Sequence, residues 1–129
     1  MLANEAEQLK YVIVLCDDLD RMKEFYRDVL VLPVESESEV NLVFRASSVF
    51  LALRKRSRDY DGRGAGAGSP GVQLAFLVST AEVDSHYRKL VEKGVPILDA
   101  PKDQPWGHRT VYFSDPEGNI LEYYSELTP

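Results

Sequence analysis

The chain has 129 residues, 44% of them apolar and 28% charged, with a net charge of −6 at pH 7. That length suits one domain (1–129) burying roughly two-thirds of its unfolded surface without staples. The charge argues against a nucleic-acid backbone as partner, and no stretch approaches the ~20 apolar residues of a membrane span.

The N-terminus, Met1 to Gln8, has neither the basic nor the apolar region of a secretory signal and reads as a loose leader. A lone cysteine, Cys16, excludes an internal disulfide and suits a reducing cytoplasm. Tyr11 to Cys16 is a continuous apolar run that predicts a strand, with Cys16 a small buried thiol on its helix-facing side. Asp17 and Asp18 then supply a cap and negative charge for a helix over Leu19–Leu30. Its apolar stripe is Leu19, Met22, Tyr26, Val29 and Leu30. Pro33 closes the helix, Val34–Glu37 predicts a charged edge strand, and Val40–Arg45 and Val49–Arg54 predict two more around the turn Ala46-Ser47-Ser48.

Residues 55–71, rich in Gly and Ser, read as a flexible linker. They are not a phosphate-binding loop, because no Gly-Lys-Ser/Thr follows. Their basic cluster (Lys55, Arg56, Arg58, Arg63) is expected to be solvated. The pattern then restarts. Val72–Val78 predicts a strand, Ser79 with Glu82 a capping box, and Val83, Tyr87, Leu90 and Val91 the stripe of a second helix ended by Gly94. His86 belongs to that helix, at its surface or against the sheet. Val95–Leu98 predicts a short strand, followed by a loop carrying Pro101 and Pro105.

Arg109–Phe113 and Ile120–Tyr124 are rich in β-branched and aromatic residues, and the stretch between them, Asp115-Pro116-Glu117-Gly118-Asn119, has strong turn chemistry. The chain therefore ends in a hairpin. On its last strand Ile120, Glu122 and Tyr124 share one face. Glu122, a mid-strand carboxylate among apolar residues, is costly to bury without a partner. The whole pattern is two tandem β-α-β-β-β units, over about residues 9–54 and 72–127: an α+β fold with two helices and eight strands.

The run Asp115-Pro-Glu-Gly-Asn-Ile-Leu-Glu122, preceded by Trp106-Gly-His-Arg109, resembles the last hairpin of the vicinal oxygen chelate superfamily, which includes glyoxalase I, extradiol dioxygenases, and fosfomycin and bleomycin resistance proteins. The resemblance covers essentially the whole chain and implies a curved, cup-shaped mixed sheet holding a ligand. In metal-using members four positions converge on the ion, usually His, Glu, His or Gln, and Glu. Carried over, they fall here on Tyr11, Ala52, Gln73 and Glu122. Only Glu122 is a good ligand, and a catalytic divalent ion normally needs three or more. No cofactor is therefore expected, and a divalent metal is disfavoured.

The resemblance also implies that cup-facing Tyr11, Gln73 and Tyr124 line the ligand. Trp106 reads either as a rim aromatic for stacking a planar ligand or as a hydrophobic plug at the strand start. His108 reads either as a loop residue or as a ligand contact or general base. Arg45, Arg54 and Arg109 read either as surface charges or as partners of Glu122 or an acidic ligand. The first functional reading is a metal-free protein, similar to the bleomycin resistance branch, that binds a small aromatic or amphipathic compound. The second is a lyase, isomerase or thiol transferase of the glyoxalase type. It would use Glu122 as base or metal ligand, with an unusual metal shell or none, and His108 or Arg109 as the oxyanion stabiliser such chemistry requires. A third is an accessory module whose cup is filled by its own side chains. By analogy with small relatives the chain is expected to form a homodimer.

Overall fold

A computed structural model describes residues 7–64 and 71–128. The chain divides into two compact units, Met1–Arg63 and Gly64–Pro129. In the first, β1 (Tyr11–Cys16), α1 (Leu19–Glu24), β2 (Val34–Glu37), β3 (Asn41–Ala46) and β4 (Val49–Lys55) follow in order. In the second they are β5 (Gln73–Leu77), α2 (Thr80–Glu92), β6 (Ile97–Asp103), β7 (His108–Ser114) and β8 (Ile120–Glu126). The sheets have matching strand orders, β1-β4-β3-β2 and β5-β8-β7-β6. In each, the first and last strands pair in parallel and the other pairs are antiparallel. This is the expected α+β repeat.

Each sheet buries one face under its helix, because alternate strand residues must point to opposite sides. In the first unit that face carries Val14, Cys16, Leu42, Phe44, Leu51 and Leu53, packed with Met22, Phe25 and Tyr26. The expected helix over Leu19–Leu30 is not uniform. Its α-helical part ends at Glu24, and Phe25–Val29 forms a wider π turn, the Leu30 N–H donating to the Phe25 carbonyl at 3.0 Å. Val29 and Leu30 stay partly exposed, while Phe25, outside the expected stripe, is buried.

In the second unit the core is Val83, Leu90, Val111, Phe113, Leu121 and Tyr123. The Ser79–Glu82 capping box is present in both directions. Gly94, at φ +74°, closes the helix as only glycine does without strain. Val91 is exposed rather than part of the stripe. His86 instead packs inward, its ring stacked on Tyr123 at 4.2 Å, and Tyr123 stacks in turn on Phe113 at 5.3 Å. Burial pushes the Tyr123 phenol up to about 12 and holds the His86 imidazole below the usual histidine range.

Two stretches expected to be loops are structured. β6 runs on through Pro101 to Asp103, with register irregularities that let an outer strand carry a proline. Within the expected linker, β4 extends to Lys55, and Asp59–Asp61 forms a short 3-10 turn around the buried Asp61 carboxylate. That carboxylate accepts from the Ser57 and Arg58 N–H groups at 2.8 Å each and pairs with Arg54 and Arg58. These contacts, led by the Arg58 hydrogen bond, hold it well below the usual carboxylate range. The expected basic cluster is thus partly neutralised, with Arg56 bridged to Asp17. Linker residues 65–70 and leader residues 1–6 lie outside the described residues.

The β7–β8 turn is held by side chains. Asp115 Oδ1 accepts from the Glu117 and Asn119 N–H groups, and its Oδ2 accepts from Asn119 Nδ2 at 2.9 Å. Gly118 supplies the positive φ, +85°. Asn119 also reaches outside the turn. Its Oδ1 accepts the N–H groups of Gly71 and Val72 at 3.0 and 3.2 Å, tying the start of β5 to the hairpin. Asn119→Ala removes the acceptor of both donors; the N–H of exposed Gly71 turns to water, while that of half-buried Val72 loses its partner at a cost of about 1–3 kcal/mol. The expected loss is about 1–3 kcal/mol in chemical denaturation.

Histidine 86 gives a pH test. Its imidazole binds a proton more weakly folded than unfolded, so stability falls as pH drops through the ordinary histidine value of about 6.5. His86→Phe keeps a ring in the stack and removes the titration. Denaturation midpoints should diverge in the variant's favour on going from roughly pH 7.5 to pH 5.

Candidate functional site

The face of the second sheet turned away from α2 collects most of the expected site residues. Strand alternation puts Gln73, Ala75 and Leu77 of β5 there, with Ile120, Glu122, Tyr124 and Glu126 of β8 and His108, Thr110, Tyr112 and Ser114 of β7. Three observations establish the alternation. Leu121 and Tyr123 are buried, Gln73 Nε2 donates to Glu122 Oε1 at 3.2 Å, and the His108 and Tyr124 rings stack at 4.7 Å.

The turn register places Tyr112 directly across from Glu122 and Thr110 across from Tyr124. Burial pushes the Tyr112 hydroxyl above the usual phenol range. The Glu122 charge and a hydrogen bond to that carboxylate push it the same way, and a hydrogen bond from Thr110 opposes them. Gln104 Nε2 donates to Thr110 Oγ1 at 3.0 Å. The polar side chains thus form a directed series: Gln104 donates to Thr110, Thr110 to Tyr112, and Tyr112 to Glu122, which also receives Gln73 from the other side. Tyr112, Thr110 and Gln104 are not among the residues that the sequence patterns single out. A signal for Tyr112 does exist in the turn, since pairing Ser114 with Ile120 fixes Tyr112 opposite Glu122.

His108 is the first residue of β7 rather than a loop residue, with its backbone carbonyl accepting from the Gln104 N–H at 2.7 Å. Trp106 projects from the β6–β7 turn with 59% of its surface exposed, so it is not a buried plug. Arg109 lies on the opposite side of β7 from Tyr112 and Glu122. Its guanidinium is held by Asp84 and Asp103, each at 2.9 Å, and it does not join Glu122. Arg45 and Arg54 are likewise engaged within the first unit, by Glu35 at 2.8 Å and Asp61 at 3.2 Å.

In the first unit Tyr11 is half-exposed and its ring stacks on Phe50 at 5.1 Å, while Ala52 sits across from Ile13. Among the described residues no three His, Cys, Asp or Glu side chains are grouped to hold a metal ion. The set Tyr11, Ala52, Gln73 and Glu122 offers one carboxylate, one amide, one phenol and one position with no donor. It does not fit a divalent-metal first shell of imidazoles and carboxylates.

The Tyr112–Glu122 contact makes a direct prediction. Glu122→Gln removes the adjacent negative charge, so the Tyr112 phenol should titrate at lower pH than in the parent protein. Carbon-13 NMR of ring-labelled tyrosine, assigned with Tyr112→Phe, reads this shift; an unchanged titration would mean the two groups do not interact.

Comparison with known proteins identifies relatives of the chain. A family model described as "Glyoxalase/Bleomycin resistance protein/Dioxygenase superfamily" matches residues 8–123. YraH, an uncharacterized protein of Bacillus subtilis (strain 168), is 31% identical over 127 residues, spanning 93% of this chain and 99% of its own. The metallothiol transferase FosB of Lysinibacillus sphaericus is 24% identical, over 92% of this chain and 82% of its own. Among solved structures, a glyoxalase/bleomycin resistance protein/dioxygenase from Nocardioides superposes with a TM-score of 0.81 at 24% identity, covering 98% of this chain and 87% of that one.

Proposed function

Because the chain belongs to the glyoxalase/bleomycin resistance protein/dioxygenase superfamily, yet has a single carboxylate among its four expected ligand positions, we propose that it is a metal-free binding protein. Its ligand is a small aromatic or amphipathic compound, held on the open face of the second sheet. The observation that carries this reading is the setting of Glu122. It is hydrogen-bonded by Gln73 and interacts with Tyr112, which holds the carboxylate in place while its remaining acceptor sites stay open to a ligand donor. Beside it the His108–Tyr124 stack offers a flat apolar surface with polar edges, the kind of wall that small-molecule sites use.

A second reading is favoured by one observation: several relatives at 23–27% identity carry the name metallothiol transferase. On that reading Glu122 serves as base or metal ligand in a lyase or thiol transferase. His108, rather than the engaged Arg109, is then the nearer polar partner on its face.

Metal analysis of the purified protein, paired with a thermal-shift screen over divalent metals, thiols, antibiotics and aromatic acids, separates the two. Binding without metal predicts substoichiometric metal, no rise in Tm with divalent ions, and a rise with aromatic ligands. Glu122→Gln should weaken ligand binding while leaving the fold intact. A stoichiometric transition metal, lost together with a lyase or transferase activity in Glu122→Gln, would establish the second reading instead. The protein is further proposed to be a cytoplasmic homodimer. Buried, lone Cys16 suits a reducing compartment, and among the described residues no helix is long and apolar enough to cross a membrane. Sedimentation at micromolar concentration giving a single 14.6 kDa species would contradict the dimer.

A further inference from the structure

The charge on the open face of the second sheet is one-sided. Across the three strands β5, β8 and β7 it carries the carboxylates of Glu122 and Glu126 and no Lys or Arg. The fourth strand, β6, adds Asp99 across from Tyr112 and Lys102 across from Thr110. Three carboxylates therefore face one ammonium, and that ammonium is on the outermost strand. The guanidinium nearest in sequence, Arg109, is turned to the helix side and paired with Asp84 and Asp103.

Next to Glu122 lies the aromatic surface. Tyr124 is two residues along the same strand and on the same face, roughly 7 Å away at the strand rise of ~3.3 Å per residue, and its ring stacks with His108. A fused two- or three-ring system is about that long. Lying against the Tyr124 face, it would bring an N–H at its edge to the Glu122 carboxylate. Phenol faces attract planar cations through the ring quadrupole, and a carboxylate accepts a charge-assisted hydrogen bond from them. An anionic ring system in the same place would meet Glu122 unpaired.

Resting on the binding reading above, we propose that this face takes a planar aromatic cation. The ring system stacks on the Tyr124 face that His108 leaves uncovered, extending the His108–Tyr124 stack, and a protonated ring nitrogen or amidine-like N–H donates to Glu122. This narrows an aromatic or amphipathic ligand to one sign of charge. It predicts that salt weakens binding, as for any half-exposed ion pair.

The test compares two ligands with the same three-ring skeleton and opposite charge, 9-aminoacridine and acridine-9-carboxylate, by fluorescence titration of the purified full chain. The cation should bind at least about tenfold more tightly, a difference of about 1.4 kcal/mol. Glu122→Gln should abolish that preference, and Tyr124→Leu should weaken the cation without reversing it, with circular dichroism confirming that both variants are folded. Equal or tighter binding of the carboxylate, still weakened by Tyr124→Leu, overturns the cation proposal and leaves an aromatic-binding face intact. Cation binding unchanged in Glu122→Gln also overturns it. If neither acridine binds at concentrations up to about 1 mM, a free-energy floor of about −4 kcal/mol, the parent reading fails as well.

Discussion

The register of the β7–β8 hairpin is the constraint on which the second unit depends. A one-residue slip in a strand pair exchanges its two faces, which here would bury Glu122 under α2 and expose Leu121 and Tyr123. The slip is blocked at the turn. Asp115 ties off two backbone N–H groups of its own loop, and Asn119 reaches across to the N–H groups of Gly71 and Val72. One five-residue turn thereby sets the antiparallel pairing of β8 with β7 and anchors the entry to the parallel pairing with β5. The buried stack His86–Tyr123–Phe113 locks the same register from the helix side.

With the register set, the polar chemistry of the open face follows from strand geometry. Glu122 occupies a central strand, so its neighbours come from both sides: Gln73 from β5 and Tyr112 from β7. A carboxylate between two strands costs solvation, and donors on both flanks offset that cost. Tyr112 in turn is oriented by Thr110 and Gln104. Such a network fixes the direction of the Glu122 carboxylate on its face of the sheet.

Elsewhere the chain couples its arginines to carboxylates of its own. Arg45 is taken up by Glu35, Arg54 and Arg58 by Asp61, Arg56 by Asp17, and Arg109 by Asp84 and Asp103. Most of these pairs are half-exposed, and each adds little to stability. The Asp61 hub differs, since its carboxylate is buried and also caps two backbone N–H groups.

The sequence by itself determined the repeat, the strand and helix types and which residues of β8 share a face, because those depend on local periodicity and on turn residues with fixed conformational preferences; the cup-facing sides of β1 and β5 came from the resemblance to the superfamily. It also determined that the four ligand positions of the superfamily hold one good metal donor, since that is a matter of residue identity. Only the tertiary structure decided which charged groups meet. Arg109 is one residue from His108 yet points to the other side of the sheet, where carboxylates distant in sequence capture it. Likewise the loop around Asp61 folds because a carboxylate six residues beyond Lys55 is drawn onto Arg54 and Arg58, and its composition of Gly, Ser and charge conceals that. Pairing energies of this kind depend on the positions of both partners in space. A linear pattern of hydrophobicity carries no record of them.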